Sequence, residues 1–495
     1  MLDLPPQNVI LILADDLGYG DLSCYGAKNV QTPNVDSLSA SGIRFVNSHA
    51  VASTSTPSRY GILTGEYPFR KKGTDVAAGN AGMIINPNQF TLADVFKARG
   101  YTTAAFGKWH LGLGYKTAMQ NWNDTLDATP ADLGFDYTYI MAATADRVPC
   151  VFIENNRVAN HDPSAPIYVS YAKNFEGEPT GQSHPHLLTK QKSSHGHNQS
   201  IVNGIGRIGY MKGGGKALWR DEDIADSITS HAIQFIERNK EKPFFMYFCT
   251  NDIHVPRQPH ERYRGKSEMG LRGEAIMQFD DCVGALCQVL REQGILDNTL
   301  IIITSDNGPV LDDGYEDMAV EKVGNHKPAG HLRGGKYSNY EAGSCVPFIV
   351  SGAGVNAQAR GTVSNALVSQ IDFLSTCSAL VNIDCSESVK PTDSENHLNA
   401  WLGFTNEGRQ AALKMAYSHN VSLKTKDWKY IPPSNGPTVV PWGTGIETGT
   451  LPQAALYDVN ADPSEQVNIA DQHPAIVAQM DSLLKMMIQK GSINR

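Results

Sequence analysis

Four uninterrupted apolar runs along the chain each end in a polar cluster. Val9-Ile10-Leu11-Ile12-Leu13 delivers Ala14-Asp15-Asp16, and the Thr102 to Phe106 segment leads to Gly107-Lys108-Trp109-His110. Phe244-Phe245-Met246-Tyr247-Phe248 leads to Asn251, Asp252 and His254, and Thr299-Leu300-Ile301-Ile302-Ile303 leads to Ser305-Asp306-Asn307-Gly308. Apolar runs of strand length without alternation read as parallel strands buried on both faces. Between them lie segments of helical character, such as Ile224 to Asn239 and Gly273 to Gln293. The alternation predicts an α/β fold over residues 1–375, with a large mixed, mostly parallel sheet flanked by helices. Ligands of open α/β sheets bind beyond the carboxyl ends of the strands, so the four polar tips are expected to share one crevice.

The pattern changes after about residue 375. Lys424 to Ile431 reads as strand and turn, Leu456 to Val459 as a further strand, and Pro474 to Lys490 as a terminal helix. Residues 376–495 are therefore expected to form a smaller α+β subdomain with an antiparallel sheet. No fixed-period repeat or low-complexity tract interrupts either part.

Ser55-Thr56-Pro57-Ser58-Arg59 joins a potential nucleophile, a helix start and a cation. Pro57 fixes its own φ and lacks an amide proton, which suits a first helical turn, so Ser55 falls at the positive end of the helix dipole. An anion arriving there meets free amides, and Arg59 offers a planar fork to its oxygens. Taken alone, the same five residues also describe an ordinary helix cap.

Asp15 and Asp16 after one strand, with Asp306 and Asn307 after another, give an all-oxygen set suited to a hard divalent cation, calcium first and magnesium second. Asp-Asn-Gly is also a turn signal, and Asp-Asp a plausible cap. Lys108 and His110 flank Trp109, so an extended backbone would put both cationic groups on one side and the indole on the other. Lys336 follows Leu332-Arg333-Gly334-Gly335.

Ser55 through Gly65 resembles the sulfatase signature C/S-x-P-S-R-x-x-L-x-T-G, with Ile62 in place of Leu. Gly100-Tyr101-Thr102 through Gly107-Lys108-Trp109-His110-Leu111-Gly112 resembles the second signature of the same family. Residues 330–348 resemble its L-R-G-G-K…Y-E-G-G-x-x-V-P-F segment, with Ala342 and Ser344-Cys345 as local departures, and Leu456 to Glu465 resembles the L-Y-D-L-x-x-D-P-x-E of its C-terminal subdomain. Dispersed motifs in one order across the chain identify it as resembling the formylglycine-dependent sulfatases of the alkaline phosphatase superfamily. The first signature residue is oxidised to formylglycine by a maturation enzyme in that family. Ser55 is then either the serine-type residue or a Cys-to-Ser replacement.

That resemblance implies Asp15, Asp16, Asp306 and Asn307 as calcium ligands, with formylglycine at position 55 completing the shell. It implies that Arg59 holds the hydrated aldehyde, that Lys108, His254 and Lys336 bind sulfate oxygens, and that His110 assists formation or collapse of the sulfated intermediate. His254 is also placed to protonate the leaving alcohol. Sulfate-ester cleavage needs these parts: a nucleophile at sulfur, cations for the equatorial oxygens, and an acid for a poor leaving group.

Composition narrows the remaining choices. The 495 residues, 41% of them hydrophobic and 19% charged, describe an ordinary globular chain too long for one core. A formal net charge of -9 argues against general nucleic-acid binding. No run reaches membrane-spanning length, and the Met1 start lacks a signal segment, so a mature or recombinant form is expected. The eight cysteines lack C-x-x-C spacing and indicate neither a zinc site nor a compact disulfide framework. A periplasmic or secreted location is implied by the resemblance alone.

Residues 147–220 form a long Gly-, His-, Asn- and Ser-rich segment of the kind that is commonly functional when ordered. Within and around it, Arg147, His195 and His197 are candidates for contact with sugar hydroxyls. Asp312, Asp313, Glu316 and Glu321 are further hydrogen-bond acceptors, or else a solvated acidic face. His326 belongs to a segment, Asn325-His326-Lys327-Pro328, that resembles polysaccharide-acting sulfatases. The leading expectation is a sulfatase acting on a sulfated carbohydrate such as galactose or N-acetylgalactosamine in a glycan. The alternatives are a phosphomonoester or phosphonate hydrolase using Ser55 directly, and an inactive glycan-binding protein.

Overall fold

The computed structural model describes residues 5–385 and 393–490. Its centre is a ten-stranded sheet built from β1 (Asn8–Ala14), β2 (Gly42–Phe45), β3 (Thr102–Lys108), β4 (Tyr137–Met141), β5 (Phe152–Glu154), β6 (Arg157–Val158), β7 (Phe244–Cys249), β8 (Thr299–Ser305), β9 (Phe348–Gly352) and β10 (Thr362–Ser364). The spatial order is β10-β2-β9-β8-β1-β7-β3-β4-β5-β6. The middle five, β8 through β4, run parallel, whereas β9 and β5 enter antiparallel on either side. Every residue of β1, β7 and β8 is buried, which is why these strands read as continuous apolar runs.

Helices cover both faces. Helix α1 (Pro33–Ser41), α4 (Ile224–Asn239) and α5 (Gly270–Glu292) pack together on one side, and α2 (Ser55–Thr64), α3 (Leu92–Ala98) and α6 (Phe373–Leu380) on the other. The apolar surface of both layers merges into one core with the sheet. Truncating a fully buried strand residue such as Ile12 to Ala would cost about 2–5 kcal/mol.

Register places the chemistry. Leu13 pairs with Cys249 and Ala14 with Ser305, so β7, β1 and β8 end level with one another. Asp15-Asp16, Asn251 to His254 and Asp306-Asn307 therefore emerge side by side, with Lys108 at the end of β3 next along.

The smaller antiparallel sheet consists of β11 (Ala411–Met415), β12 (Val421–Thr425), β13 (Trp428–Ile431) and β14 (Ala455–Asp458), with helix α7 (Pro474–Gln489) against it. Helix α6 runs through position 375 and packs on α2 and α3, so the pattern change read there falls inside an element of the large layer. Strand β11 is tied to the large part at its end, where Ser53 donates its N–H to the Met415 carbonyl.

Candidate active site

Ser55 opens α2, preceded by Thr54 in extended conformation with no side-chain cap. The first-turn amides thus lack the oxygen that normally caps them, as at an anion-binding helix start. Lys108 Nζ lies 2.9 Å from Ser55 Oγ and 2.7 and 2.8 Å from the Asp15 carboxylate oxygens. Arg59 is fully buried and already anchored: Nε and Nη2 donate to Asp306 Oδ2 at 3.2 and 2.9 Å, and Nη1 to the Lys108 carbonyl at 3.0 Å. Its fork holds the Asp306 carboxylate and the end of β3 rather than facing the cavity at large.

Lys336 Nζ donates to Asp16 Oδ2 at 2.9 Å and to Asp313 Oδ2 at 2.8 Å. Burial alone would raise the Asp16 pKa, but Lys336, His254 and Lys108 outweigh it and hold the carboxyl well below its usual range. Around Asp15 burial prevails, pushing that carboxyl up despite Lys108 and pushing the Lys108 ammonium down. Asp16 sits at φ 59°, a left-handed turn that Asp tolerates because of its short polar side chain.

Asn307 supplies the observation that tests for a cation. Its Nδ2 donates to Asp16 Oδ1 at 2.8 Å and to the Gly308 carbonyl, while its Oδ1 is buried with no hydrogen-bond partner. An orphaned buried acceptor carries a penalty that a cation ligated there would remove. Ligand atoms of Asp15, Asp16 and His254 also lie within 4.8 Å of one another. The oxygen donors Asp15, Asp16, Asp306 and Asn307 fit a hard divalent ion.

Two histidines complete the floor. His110 does not continue the extended run expected after Lys108: it turns to φ 58°, Trp109 is buried with its indole N–H on the Gly112 carbonyl, and the His110 carbonyl accepts from Thr56. His110 Nε2 faces the Ala77 carbonyl at 2.8 Å and so carries the proton, leaving Nδ1 as a buried, unpartnered lone pair. Burial, then Lys108 and Arg147, push its pKa well below normal. His254 Nδ1 likewise faces the Val255 carbonyl at 2.6 Å, and its Nε2 lies 3.8 Å from Asp16. Burial and Lys336 lower its pKa to about 4, so the ring is neutral at pH 7 with Nε2 as its open nitrogen.

The sulfatase family model matches residues 7–383. The chain belongs to the sulfatase family. It is 47% identical over 478 residues, 97% of this chain and 92% of the relative, to an N-acetylgalactosamine-6-O-sulfatase of Bacteroides thetaiotaomicron. Human arylsulfatase A is 31% identical over 379 residues, 76% of this chain and 64% of that protein. A solved sulfatase structure from work on glycosaminoglycan metabolism by Bacteroides thetaiotaomicron superposes with a TM-score of 0.94 at 47% identity, covering 97% of this chain and 98% of its own. As a member of this family the protein is a sulfuric ester hydrolase.

The sulfatase site opens into a cavity of about 700 Å³, with Ser55, His110, His254 and Lys336 on its floor. Of the sugar-contact candidates, Arg147, His195, His197 and Asp313 line it. His197 Nε2 lies 2.9 Å from Asp146, and Arg147 reaches the same carboxylate at 3.1 Å. Asp312, Glu316, Glu321 and His326 do not line it. Asp312 accepts from Ser194 beside the His195 loop, Glu316 is exposed, and His326 is buried elsewhere with Nε2 2.8 Å from Asp21, which also binds Arg272. The His326 ring neutralises a structural carboxylate, a role its sequence neighbourhood does not reveal.

Several cavity residues escaped the sequence reading. Asp146 is buried between Arg147 and His197; burial raises its pKa, but Arg147, His254 and the hydrogen bond with His197 hold it far below normal. Tyr417, His419 and Trp442 come from the C-terminal part, and His419 Nε2 crosses the rim to Asp75 at 2.9 Å. No local pattern marks these positions, because only docking of the small sheet brings them to the cavity.

Proposed function

We propose that this sulfatase removes the 6-sulfate of a terminal or internal N-acetylgalactosamine, or of a closely related galactose unit, in a sulfated glycan. The observation that carries the reading is the placement of Ser55 Oγ at a helix start, 2.9 Å from Lys108 and beside four oxygen donors of a cation site. The sugar assignment rests on the 47% identical N-acetylgalactosamine-6-O-sulfatase.

In this reading Ser55 is converted to formylglycine, which when hydrated supplies one hydroxyl to attack sulfur and a second whose deprotonation releases sulfate. Asp15, Asp16, Asp306 and Asn307 would hold calcium, which would supply the positive charge that favours an ionised hydroxyl and offsets charge on sulfate. Lys108 and Lys336 neutralise the sulfate oxygens in a site that excludes water, where such cations are worth most. Arg59 keeps Asp306 ionised and aligned. His254, open at Nε2, would take up a proton there when the anionic ester arrives beside it and pass that proton to the departing sugar oxygen, and His110 accepts one at Nδ1.

We place residues 376–495, a stretch that begins within α6, in a C-terminal subdomain that completes the sugar side of the cavity. We place the protein in the periplasm or outside the cell, as family resemblance implies; no described helix is long and apolar enough to cross a membrane. The test is sulfate release by protein co-expressed with a serine-type maturation enzyme. N-acetylgalactosamine 6-sulfate should be cleaved well ahead of the 4-sulfate and of glucosamine 6-sulfate. Equal rates on all three, or preference for phosphate monoesters, would defeat the assignment.

A further inference from the structure

Asp313 poses an electrostatic puzzle, since it puts a buried carboxylate at the floor of a cavity built to take an anion. Both of its oxygens are engaged. Oδ2 accepts from Lys336 Nζ at 2.8 Å, and the Tyr337 hydroxyl sits 2.9 Å from Oδ1 and 3.2 Å from Oδ2. An ammonium has three protons. Asp16 takes one of those on Lys336 and Asp313 takes another, so the third is directed by the first two.

Tyr337 is itself held unusually firmly. It adopts φ 76°, a costly conformation for a bulky residue that persists only when its surroundings determine it. Its N–H donates to the Ser53 carbonyl at 2.9 Å, two residues before Ser55, and its carbonyl accepts from Tyr417 N–H at 3.0 Å. Its ring meets Trp442 edge-on at 5.0 Å, and Trp442 meets Tyr417 at 5.3 Å. The C-terminal part thus clamps the ring whose hydroxyl fixes Asp313.

We infer that Asp313 and Tyr337 are positioning residues that aim the third N–H of Lys336 into the cavity at a sulfate oxygen, with Tyr417 and Trp442 as their brace. The inference rests on the sulfatase reading of Lys336 and extends it to residues that are not fixed positions of the signature motifs. Placement and charge make opposite predictions. Removing a negative charge beside a bound anion should tighten sulfate binding if Coulomb repulsion rules. Binding should weaken if Asp313 serves to orient Lys336, because a charge-assisted hydrogen bond is then misdirected.

The experiment uses the full chain with Ser55 unmodified and calcium present, titrated calorimetrically with N-acetylgalactosamine 6-sulfate and, in parallel, inorganic sulfate. Asp313→Ala should weaken both probes about tenfold. Asp313→Asn, which keeps an acceptor for Lys336 and a partner for Tyr337, should stay within about threefold. Tyr337→Phe should fall between them. In a Lys336→Ala background Asp313→Ala should bring no further loss, since two residues acting through one contact are not additive. Unchanged or tighter binding by Asp313→Ala, or full additivity with Lys336→Ala, would overturn the inference. If the sugar sulfate binds no better than inorganic sulfate, the carbohydrate assignment fails instead, and the sulfate titrations still decide the role of Asp313.

Discussion

The two walls of the cavity are built on different principles. One presents Ser55, His110, His254 and Lys336 and is backed by strand ends, where Asp15, Asp16, Asp306 and Lys108 emerge from parallel strands in fixed register and satisfy one another within about a residue of the sheet. The other is made of loops: residues 195–199 from the long irregular segment, 417–419 after β11, and Trp442. The strand-end wall is dry and heavily charged, so each side chain there has one workable partner set. The loop wall is partly exposed and held by aromatic edges and rim pairs such as His419 with Asp75. Strand ends fix chemistry that does not change from one ester to another, while loops can vary with the sugar.

If that division is right, variants should sort by wall. The largest effect belongs to Ser55→Ala, which cannot yield the aldehyde: turnover of every sulfate ester should fall by at least about 10⁴-fold, with the melting temperature little changed. Residual activity near wild type would mean that the nucleophile lies elsewhere. Asp306→Asn comes next. It leaves Arg59 buried without its counter-charge and weakens the cation site, so kcat should drop by about 10³-fold and calcium content, read by elemental analysis, should fall with it.

The loop wall should respond on another scale. Trp442→Ala is expected to raise KM for a sugar sulfate about tenfold and for a small aryl sulfate only about threefold, because it removes sugar-side surface and loosens the Tyr337 brace behind Lys336. An equal rise for both substrates would show that Trp442 acts through the sulfate-binding Lys336 alone and not on the sugar. The smallest effect is assigned to His419→Ala. An exposed rim pair contributes little, so kcat/KM should change by less than about threefold.

The same division governs what the chain discloses before it folds. The strand-end wall is legible because each of its residues follows an apolar run whose length and lack of alternation specify a buried parallel strand. Asp15, Lys108, His254 and Asp306 could be placed in one crevice on that ground. The helix start at Ser55 was legible from Pro57. His110 was legible as a site residue but not in orientation, since its left-handed turn follows from the Ala77 and Thr56 contacts, which are remote in sequence from a strand pattern. His326 and Glu316 show the reverse error, polar residues near a motif that tertiary packing sends to Asp21 or to solvent. Asp146, Tyr417, His419 and Trp442 carry no periodic or spacing signal at all. Their roles arise when the small sheet docks through the Ser53 to Met415 bond and closes the sugar side.

Central to this account is that residue 55 works as an aldehyde, which the mass of its tryptic peptide tests most directly when paired with sulfate release from the same preparation. After co-expression with a serine-type maturation enzyme, the peptide should be lighter by two hydrogens, and the rate of sulfate release should rise in proportion to the modified fraction. Sustained release from protein in which Ser55 is wholly unmodified would contradict the account and point to direct attack by the serine hydroxyl.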